Sequence, residues 1–192
     1  NVIGLFIPNT YEFYWNTSAE TFVEKMEKEY KRFWNERRRA KAMEVGLTPQ
    51  QVTILASIVQ KESYQVQERP TIAGVYLNRL KDNMLLQADP TVIYAIKETT
   101  RKYDTIIKRV YIKDLATVSP YNTYLYKGLP PAPICMPDIS SVDAVLSPEK
   151  HEYIYFVADT ARLGYHKFAR TLEEHNKNRQ AYRKWLNNKG IE

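Results

Sequence analysis

Apolar residues recur with helical spacing between Pro49 and Ser63, and this segment has the clearest helix signals in the chain. Thr48 is the predicted N-cap before Pro49, and Gln51 completes a capping box. One face of the predicted helix combines four apolar residues with one acid, namely Val52, Leu55, Ile58, Val59 and Glu62. An acid therefore occupies a position where another apolar residue would pack.

Glu62 is the candidate catalytic residue of this pattern. Burial disfavours the charged form of a carboxyl, so a glutamate on an apolar face is expected to have a raised pKa and to keep its proton near neutral pH. A general acid needs that property. The alternative is that Glu62, at the end of the helix, turns to solvent or pairs with Lys61 or Arg69.

Capping signals and periodic apolar positions predict an α+β fold in which helices predominate. An extended segment over residues 2–6 comes first. Three more helices are predicted from their N-terminal signals: a long helix capped by Thr17 with Glu20, a helix opened by Pro70, and a helix that Asp89 caps before Pro90 and that ends near Glu98.

The C-terminal part is predicted to contain a β-hairpin between two helices. The elements are, in order, a short helix from Ser141 that Pro148 stops, a strand over 153–158, a return strand over 165–168 after the turn at Leu163 and Gly164, and a helix that Thr171 and Glu174 cap and that runs toward Gly190.

Residues 118–138 are rich in Pro, Tyr and Asn and predict a long ordered loop, because proline interrupts them too often for a regular element. Long loops in compact domains are commonly functional. Aromatic platforms and planar amides suit carbohydrate, so Tyr121, Asn122 and Tyr124 are candidate sugar contacts. The alternative is that these side chains only fix the loop by internal hydrogen bonds.

The composition predicts one compact domain, since 192 residues with 44% hydrophobic content can bury one core. We expect residues 1–46 to add the first strand and the long helix to a core over 47–192. The formal charge of +6 suits an acidic partner or simply a charged surface. Basic residues concentrate between Lys25 and Lys41 among acids, as on a solvated helix face. No nucleic-acid-binding motif accompanies them, so nucleic acid is not an expected partner.

Cys135 is the single cysteine, which excludes an internal disulfide and a cysteine-based zinc site. The histidines, His151, His166 and His175, are too scattered to indicate a metal site, and no cofactor is expected. No apolar run approaches the roughly 20 residues that a membrane helix needs.

Stretches along nearly the whole chain resemble the endolytic murein transglycosylases of the YceG-like family. The matching stretches are 55–63 (LASIVQKES), 7–13 (IPNTYEF), 75–80 (VYLNRL), 86–94 (LQADPTVIY), 119–124 (SPYNTY), 128–134 (GLPPAPI), 155–159 (YFVAD), 166–168 (HKF) and 175–176 (HN). The resemblance implies that Glu62 is catalytic and that a lysozyme-like core surrounds its helix.

The activity that the resemblance implies is lytic cleavage within peptidoglycan glycan strands. Glu62 would protonate the oxygen leaving C1 of a muramic acid and then take the proton of the same sugar's C6 hydroxyl, which closes a 1,6-anhydro ring without consuming water. The resemblance implies no cofactor and names peptidoglycan synthases as partners. It also implies an N-terminal membrane anchor outside this sequence, which would place the domain on the extracytoplasmic face of the inner membrane.

The resemblance makes three further residues candidates for the site. Gln87 and Asp89 would orient Glu62 or bind an N-acetyl group, although Asp89 equally fits the N-cap of its helix. Glu68 would line the cleft, although an ion pair with the adjacent Arg69 also explains it.

His166 and His175 also match positions of the family, yet such histidines are more often structural, and we favour that interpretation.

Two rival functions remain open. A muramidase would use a similar acid but would release reducing ends. A non-catalytic divisome module would bind glycan strands without cutting them.

Overall fold

The computed structural model describes residues 2–107 and 109–188, and helices predominate in this part of the chain. In chain order the main elements are α1 (Ala19–Phe33), α2 (Glu36–Glu44), α3 (Pro49–Glu62), α4 (Arg69–Lys81), α5 (Asp89–Thr100), α6 (Ile139–Leu146), β1 (Tyr155–Ala158), β2 (His166–Ala169) and α7 (Leu172–Asn188). The predicted α+β class is confirmed. The lysozyme-like arrangement and the division after residue 46 stay predictions. Within the described residues, no helix is both long and apolar enough to cross a membrane.

Helix α3 is the centre of the hydrophobic core. Its residues from Val52 to Val59 are buried, and it packs against α2, α4, α5 and α6. The large, fully buried side chains of the core include Trp34, Leu55, Ile58, Ile72, Tyr76, Leu86 and Val145. Burial on all sides fixes the helix, and so fixes the position of Glu62 at its C-terminal end.

Helix α3 begins as predicted. The Thr48 hydroxyl accepts a hydrogen bond of 3.2 Å from the N–H of Gln51, and Gln51 Oε1 accepts one of 2.9 Å from the N–H of Thr48. Pro49 occupies the first turn, where its missing N–H costs nothing. These local interactions fix where the helix begins and therefore which side chains share its buried face.

The predicted long loop is confirmed, since residues 117–138 contain no helix or strand. The Ile134 N–H donates to Ser57 Oγ in α3 at 3.0 Å, and the Asp138 N–H donates to Gln60 Oε1 at 2.5 Å. Arg69 of α4 also donates to both carboxylate oxygens of Asp138 at 2.9 Å. The loop is thus attached to both helices that form the floor of the site.

The predicted hairpin is confirmed as an antiparallel pair in which Tyr155 lies opposite Ala169. Gly164 has a φ of +83° in its turn, a left-handed conformation that favours glycine. Helix α7 packs against both strands. This helix is described as far as Asn188, so its predicted extension toward Gly190 lies outside the described residues.

The N-terminal region differs from the prediction. The predicted extended segment is instead a short 3₁₀ helix, Val2–Leu5. Ser18, not Thr17, accepts the capping hydrogen bond of α1. The predicted long helix ends at Phe33, because Asn35 leaves the helical conformation and caps a separate helix, α2.

The starts of the two C-terminal helices also differ in detail. Asp138 caps α6 and accepts from the N–H of Ser141, which lies inside the helix instead of starting it. At α7, Thr171 Oγ1 accepts from the N–H of Glu174 as predicted. The Glu174 carboxylate, however, accepts from the N–H of Arg170 instead of completing the predicted box with Thr171.

Candidate active site

A cleft of about 300 Å³ opens beside the C-terminal end of α3. Its walls come from α4, the start of α5, the long loop, the hairpin and α7. The lining residues are Glu62, Tyr76, Arg79, Leu86, Gln87, Asp89, Tyr124, Phe156, Val157, Ala158, His166 and His175. Four of the residues predicted from the sequence, Glu62, Gln87, Asp89 and Tyr124, are therefore brought together.

Glu62 is half-buried, and its Oε1 accepts a hydrogen bond of 2.5 Å from the hydroxyl of Tyr76. Burial raises the pKa of Glu62 from 4.5 to about 7, although the hydrogen bond from Tyr76 opposes the shift. The charge of Asp89 raises this pKa further. The alternative pairing with Arg69 is wrong, since Arg69 donates to Asp138. A carboxyl in these surroundings holds its proton near neutral pH and can still release it.

Arg79 lies against the cleft with only 7% of its surface exposed. Its Nε donates to the carbonyl of Ile154 at 2.6 Å, and its Nη1 donates to the carbonyls of Leu85 at 3.2 Å and Leu86 at 2.8 Å. A longer contact of 3.4 Å joins Nη1 to Gln87 Oε1. Arg79 therefore fixes the hairpin and the segment before α5 to α4, and it adds a positive charge to the site.

Asp89 and Tyr124 meet in the lining of the same cleft, where the Tyr124 hydroxyl donates to Asp89 Oδ1 at 2.6 Å. Burial and this contact raise the pKa of Tyr124 well above its ordinary value, so the hydroxyl stays a donor. Ala88 occupies the N-cap position of α5, and the Asp89 carboxylate makes no capping hydrogen bond. The N-cap interpretation of Asp89 is therefore wrong, and the carboxylate faces the cleft.

Gln87 precedes α5 in a left-handed conformation with a φ of +50°. Its N–H donates to the carbonyl of Thr123 at 3.1 Å, which joins this segment to the long loop. A non-glycine residue in that conformation is uncommon and costs free energy, and such positions cluster at functional sites. The strained backbone holds Gln87 in the cleft lining.

The prediction that Glu68 lines the cleft is wrong. Glu68 is buried, with 6% of its surface exposed, and is not among the residues that line the cleft. Its Oε1 accepts from the backbone N–H of His166 at 2.7 Å, and its Oε2 lies 2.8 Å from Nδ1 of the same residue. The alternative ion pair with Arg69 is also wrong, because Glu68 pairs with His166. Glu68 therefore affects the cleft only through its hydrogen bonds to His166, which does line the cleft.

The predicted sugar contacts of Asn122 and Tyr121 are not supported. Asn122 is fully buried, and its amide donates to the backbone carbonyls of Leu115 and Thr117 at 3.0 and 2.8 Å. Its side-chain oxygen accepts from the N–H of Tyr124 at 3.0 Å. Tyr121 packs against Tyr94, with ring centroids 4.6 Å apart, and is not among the residues that line the cleft. The alternative interpretation, that these side chains fix the loop, describes both.

Several cleft residues were not assigned a site role from the sequence, namely Tyr76, Arg79, Phe156, His166 and His175. Arg79 follows Tyr76 by three positions on the inward face of α4, so it is a charged residue on an apolar stripe. This is the same signal that identified Glu62. His175 stacks on Tyr155 with ring centroids 5.0 Å apart, and burial lowers its pKa.

The arrangement suits proton transfer and recognition of a polar substrate. It combines one acid that is protonated near neutral pH, one carboxylate, one fixed arginine and two imidazoles. Among the described residues, no group of three or more His, Cys, Asp or Glu is placed to hold a metal ion.

Comparisons with known proteins match most of this chain. The model of the YceG-like family matches residues 1–181. The chain is 37% identical over 180 residues to the endolytic murein transglycosylase of Bacillus subtilis, which covers 93% of this chain and 47% of that protein. It is 29% identical over 187 residues to the endolytic murein transglycosylase of Streptococcus pneumoniae strain D39, covering 91% of this chain and 31% of that protein.

The fold is similar to a crystal structure of a yceG-like protein from Listeria monocytogenes. The TM-score is 0.74 and the sequence identity is 38%, over 91% of this chain and 54% of that chain. The chain thus spans about half the length of the Bacillus relative and of the Listeria protein, and about a third of the Streptococcus relative.

Proposed function

Since the chain belongs to the YceG-like family, we propose that it contains the catalytic unit of an endolytic murein transglycosylase, the name that its relatives carry. Its substrate would be the glycan strand of peptidoglycan, which alternates N-acetylglucosamine with N-acetylmuramic acid. The cleft is lined by polar side chains that the fold holds in place, so it suits a chain of sugars better than an apolar ligand.

The observation that carries the proposal is the state of Glu62. Burial raises its pKa to about 7, and the hydroxyl of Tyr76 holds its carboxyl at the cleft. Cleavage of a glycosidic bond requires a proton on the leaving oxygen while positive charge develops at C1. Glu62 donates that proton as the bond between C1 of muramic acid and the leaving oxygen breaks.

The same muramic acid then supplies the nucleophile. Its C6 hydroxyl oxygen attacks C1 and gives up its proton, so that a 1,6-anhydro ring forms and no water is consumed. The attack is intramolecular, which lowers the barrier by several kcal/mol, on the order of 7 for ideal alignment. A second carboxylate is not required, because the nucleophile is the C6 hydroxyl of the substrate itself.

The rival muramidase function receives support from one observation, the presence of Asp89 in the same cleft. A carboxylate opposite the acid can activate water or attack C1 directly. Asp89, however, accepts a hydrogen bond from Tyr124, which fixes its side chain and suits a role in orienting the substrate. The products separate the two functions, because only the transglycosylase leaves anhydro ends.

The location and partners belong to the same proposal. Peptidoglycan lies outside the cytoplasmic membrane, so the unit would act on the extracytoplasmic side. An N-terminal membrane anchor would hold it beside peptidoglycan synthases, where cutting terminates nascent strands. Gln87, Asp89 and Tyr124 would contact the sugars, since they line the same cleft as Glu62.

The test is digestion of purified uncrosslinked glycan strands, followed by mass spectrometry of the products. The wild-type protein should release fragments with anhydro ends, and Glu62→Gln should lower kcat by at least about 100-fold. Glu149→Gln, an exposed glutamate outside the cleft, is the matched control and should retain the wild-type rate. Reducing ends would favour the muramidase, and binding without cleavage would favour the non-catalytic module. An unchanged rate for Glu62→Gln would refute the assignment of the acid.

A further inference from the structure

His166 is held at the cleft by a carboxylate that has no other polar partner among the described residues. Glu68 Oε1 accepts a hydrogen bond of 2.7 Å from the backbone N–H of His166, and Glu68 Oε2 lies 2.8 Å from Nδ1 of the imidazole. The side chains are 6% exposed for Glu68 and 16% exposed for His166. Phe156 packs edge to face against the imidazole, with ring centroids 5.1 Å apart.

These contacts fix the tautomer of the imidazole. Because a carboxylate only accepts hydrogen bonds, the Nδ1 atom of His166 must carry a hydrogen that it donates to Glu68. In the neutral ring, Nε2 then has a lone pair and no hydrogen. Nε2 has no hydrogen-bond partner among the described residues, and His166 lines the cleft. The pair therefore presents a hydrogen-bond acceptor at the site, with a carboxylate behind it.

We propose that His166, oriented by Glu68, is the base that takes the proton of the muramic acid C6 hydroxyl. The proposal rests on the proposed transglycosylase function and deepens it, because family resemblance alone assigns both proton transfers to Glu62. His166 is the catalytic residue in this step and Glu68 is a positioning residue. The arrangement of a base held by a buried carboxylate is the one that activates hydroxyl nucleophiles in other enzymes.

The step balances in atoms and charge. Glu62 gives its proton to the leaving oxygen as the bond from C1 breaks, and the C6 oxygen forms its bond to C1. The proton of the C6 hydroxyl passes to Nε2 of His166. After the reaction Glu62 is ionised and His166 is protonated, and transfer of one proton from the imidazole to the carboxylate, directly or through water, restores the starting state.

Several titratable or charged groups face the cleft together with His166. They are Glu62 from α3, Tyr76 and Arg79 from α4, Asp89 from α5, Tyr124 from the loop and His175 from α7, with Glu68 behind the ring. A pH profile therefore needs variants that change the imidazole or its partner alone.

The pH profile of kcat/KM separates the two mechanisms. If Glu62 performs both transfers, activity depends on its protonated form and falls only as pH rises through about 7. If His166 is the base, it must be neutral, so the profile is bell-shaped and activity also falls on the acid side as the imidazole takes up a proton. We therefore expect a bell-shaped profile.

Glu68→Gln is the most informative variant. The backbone N–H of His166 needs an acceptor, so the amide oxygen is expected to take that position and the amide NH₂ to face Nδ1. Nδ1 must then accept, and the ring hydrogen moves to Nε2, which can no longer take a proton. We expect kcat to fall by about 100-fold with little change in KM. Imidazole nitrogen shifts in NMR spectra should report the change of tautomer.

His166→Gln should give a similar loss in kcat and abolish the acid limb of the profile. His151→Gln is the matched control, because His151 is half-buried and hydrogen-bonded but lies outside the cleft. His151→Gln should keep the wild-type rate and the bell-shaped pH profile. Addition of free imidazole to His166→Ala should restore part of the rate, which no structural role of His166 would explain.

The outcomes are distinguishable from failure of the proposed function. Absence of anhydro ends with the wild-type protein overturns the transglycosylase proposal itself. Two results would overturn the assignment of His166 alone while anhydro ends are still released. The first is a wild-type pH profile of kcat/KM without an acid limb, and the second is an acid limb that persists in His166→Gln. A kcat for folded His166→Gln within about 3-fold of wild type does the same.

Discussion

The hydroxyl of Tyr76 donates a hydrogen bond of 2.5 Å to Oε1 of Glu62. Tyr76 is itself fully buried, and Phe156 packs edge to face against its ring at 5.9 Å. Burial and the neighbouring Glu62 raise the pKa of Tyr76 well above its ordinary value, so it serves only as a donor. The two largest causes that act on the pKa of Glu62 are therefore opposed, since burial raises it and this hydrogen bond lowers it.

Tyr76→Phe should move the alkaline limb of the pH–rate profile to higher pH. The hydrogen bond from Tyr76 stabilises the ionised carboxylate, so its loss raises the pKa of Glu62 above about 7. The ring and its packing against Phe156 are retained, and the loss in stability should be about 1 kcal/mol. The measurement is kcat/KM against pH. Tyr153→Phe, outside the cleft, is the control, and a limb that moves to lower pH in Tyr76→Phe would contradict the hydrogen-bond assignment.

Glu62→Gln should stabilise the protein at alkaline pH. A carboxyl whose pKa is raised from 4.5 to about 7 on folding binds its proton more tightly in the folded state, so it lowers stability as pH rises through that interval. The full cost above pH 7 is about 3 kcal/mol, from about 1.36 kcal/mol for each pKa unit. The amide does not ionise and avoids this cost.

Urea unfolding of both proteins between pH 4 and pH 8 measures this effect. The difference in the free energy of unfolding should grow with pH in favour of Glu62→Gln and level off above about pH 7. A constant difference across the interval would mean that the folded state does not perturb Glu62.

The sequence predicted those features of the site that depend on local pattern. The capping box and the apolar spacing of α3 depend on residues within a few positions of one another, and they place Glu62 on the buried face. Periodicity carries that information along a single helix. Arg79 on α4 carries the same signal, a charged residue on the buried face of a helix.

The features that sequence reasoning got wrong depend on contacts between distant residues. Glu68 and His166 are 98 positions apart, and Asp89 and Tyr124 are 35 apart. No local spacing reports such pairs, so local patterns indicate an adjacent partner for Glu68 and a capping role for Asp89 instead. The choice between solvent-facing and loop-fixing roles for Asn122 likewise depended on burial, which only the folded chain reveals.

Asn122→Ala should unfold more easily because three partly buried backbone groups lose their partner. The side chain satisfies the carbonyls of Leu115 and Thr117 and the N–H of Tyr124. Leaving such groups unpaired should cost about 3 kcal/mol in total. Thermal or urea unfolding measures the loss, and Asn9→Ala, an exposed asparagine, should change stability by less than about 0.5 kcal/mol. A fully stable variant with only a raised KM would restore Asn122 as a sugar contact.

Gly74→Ala should destabilise the protein although it lies within helix α4. In an exposed helix this change stabilises by about 1 kcal/mol. Here a Cβ at position 74 would lie 2.6 Å from Nε2 of His151 and 2.7 Å from the carbonyl oxygen of Glu149. We expect a net loss of about 2 kcal/mol in the free energy of unfolding, measured with urea.

A double-mutant cycle identifies which contact is responsible. His151→Ala removes the imidazole but leaves the carbonyl oxygen of Glu149 in place, so it should recover only part of the loss caused by Gly74→Ala. Full recovery would show that the side chain alone limits the space, since a backbone atom cannot be removed by substitution. No loss at all in Gly74→Ala would mean that the segment from Glu149 to His151 moves away from α4 without cost. That result would contradict the close packing at this point, where the Glu149 N–H donates to the carbonyl of Pro70 at 3.1 Å and His151 Nε2 lies 2.9 Å from the carbonyl of Thr71.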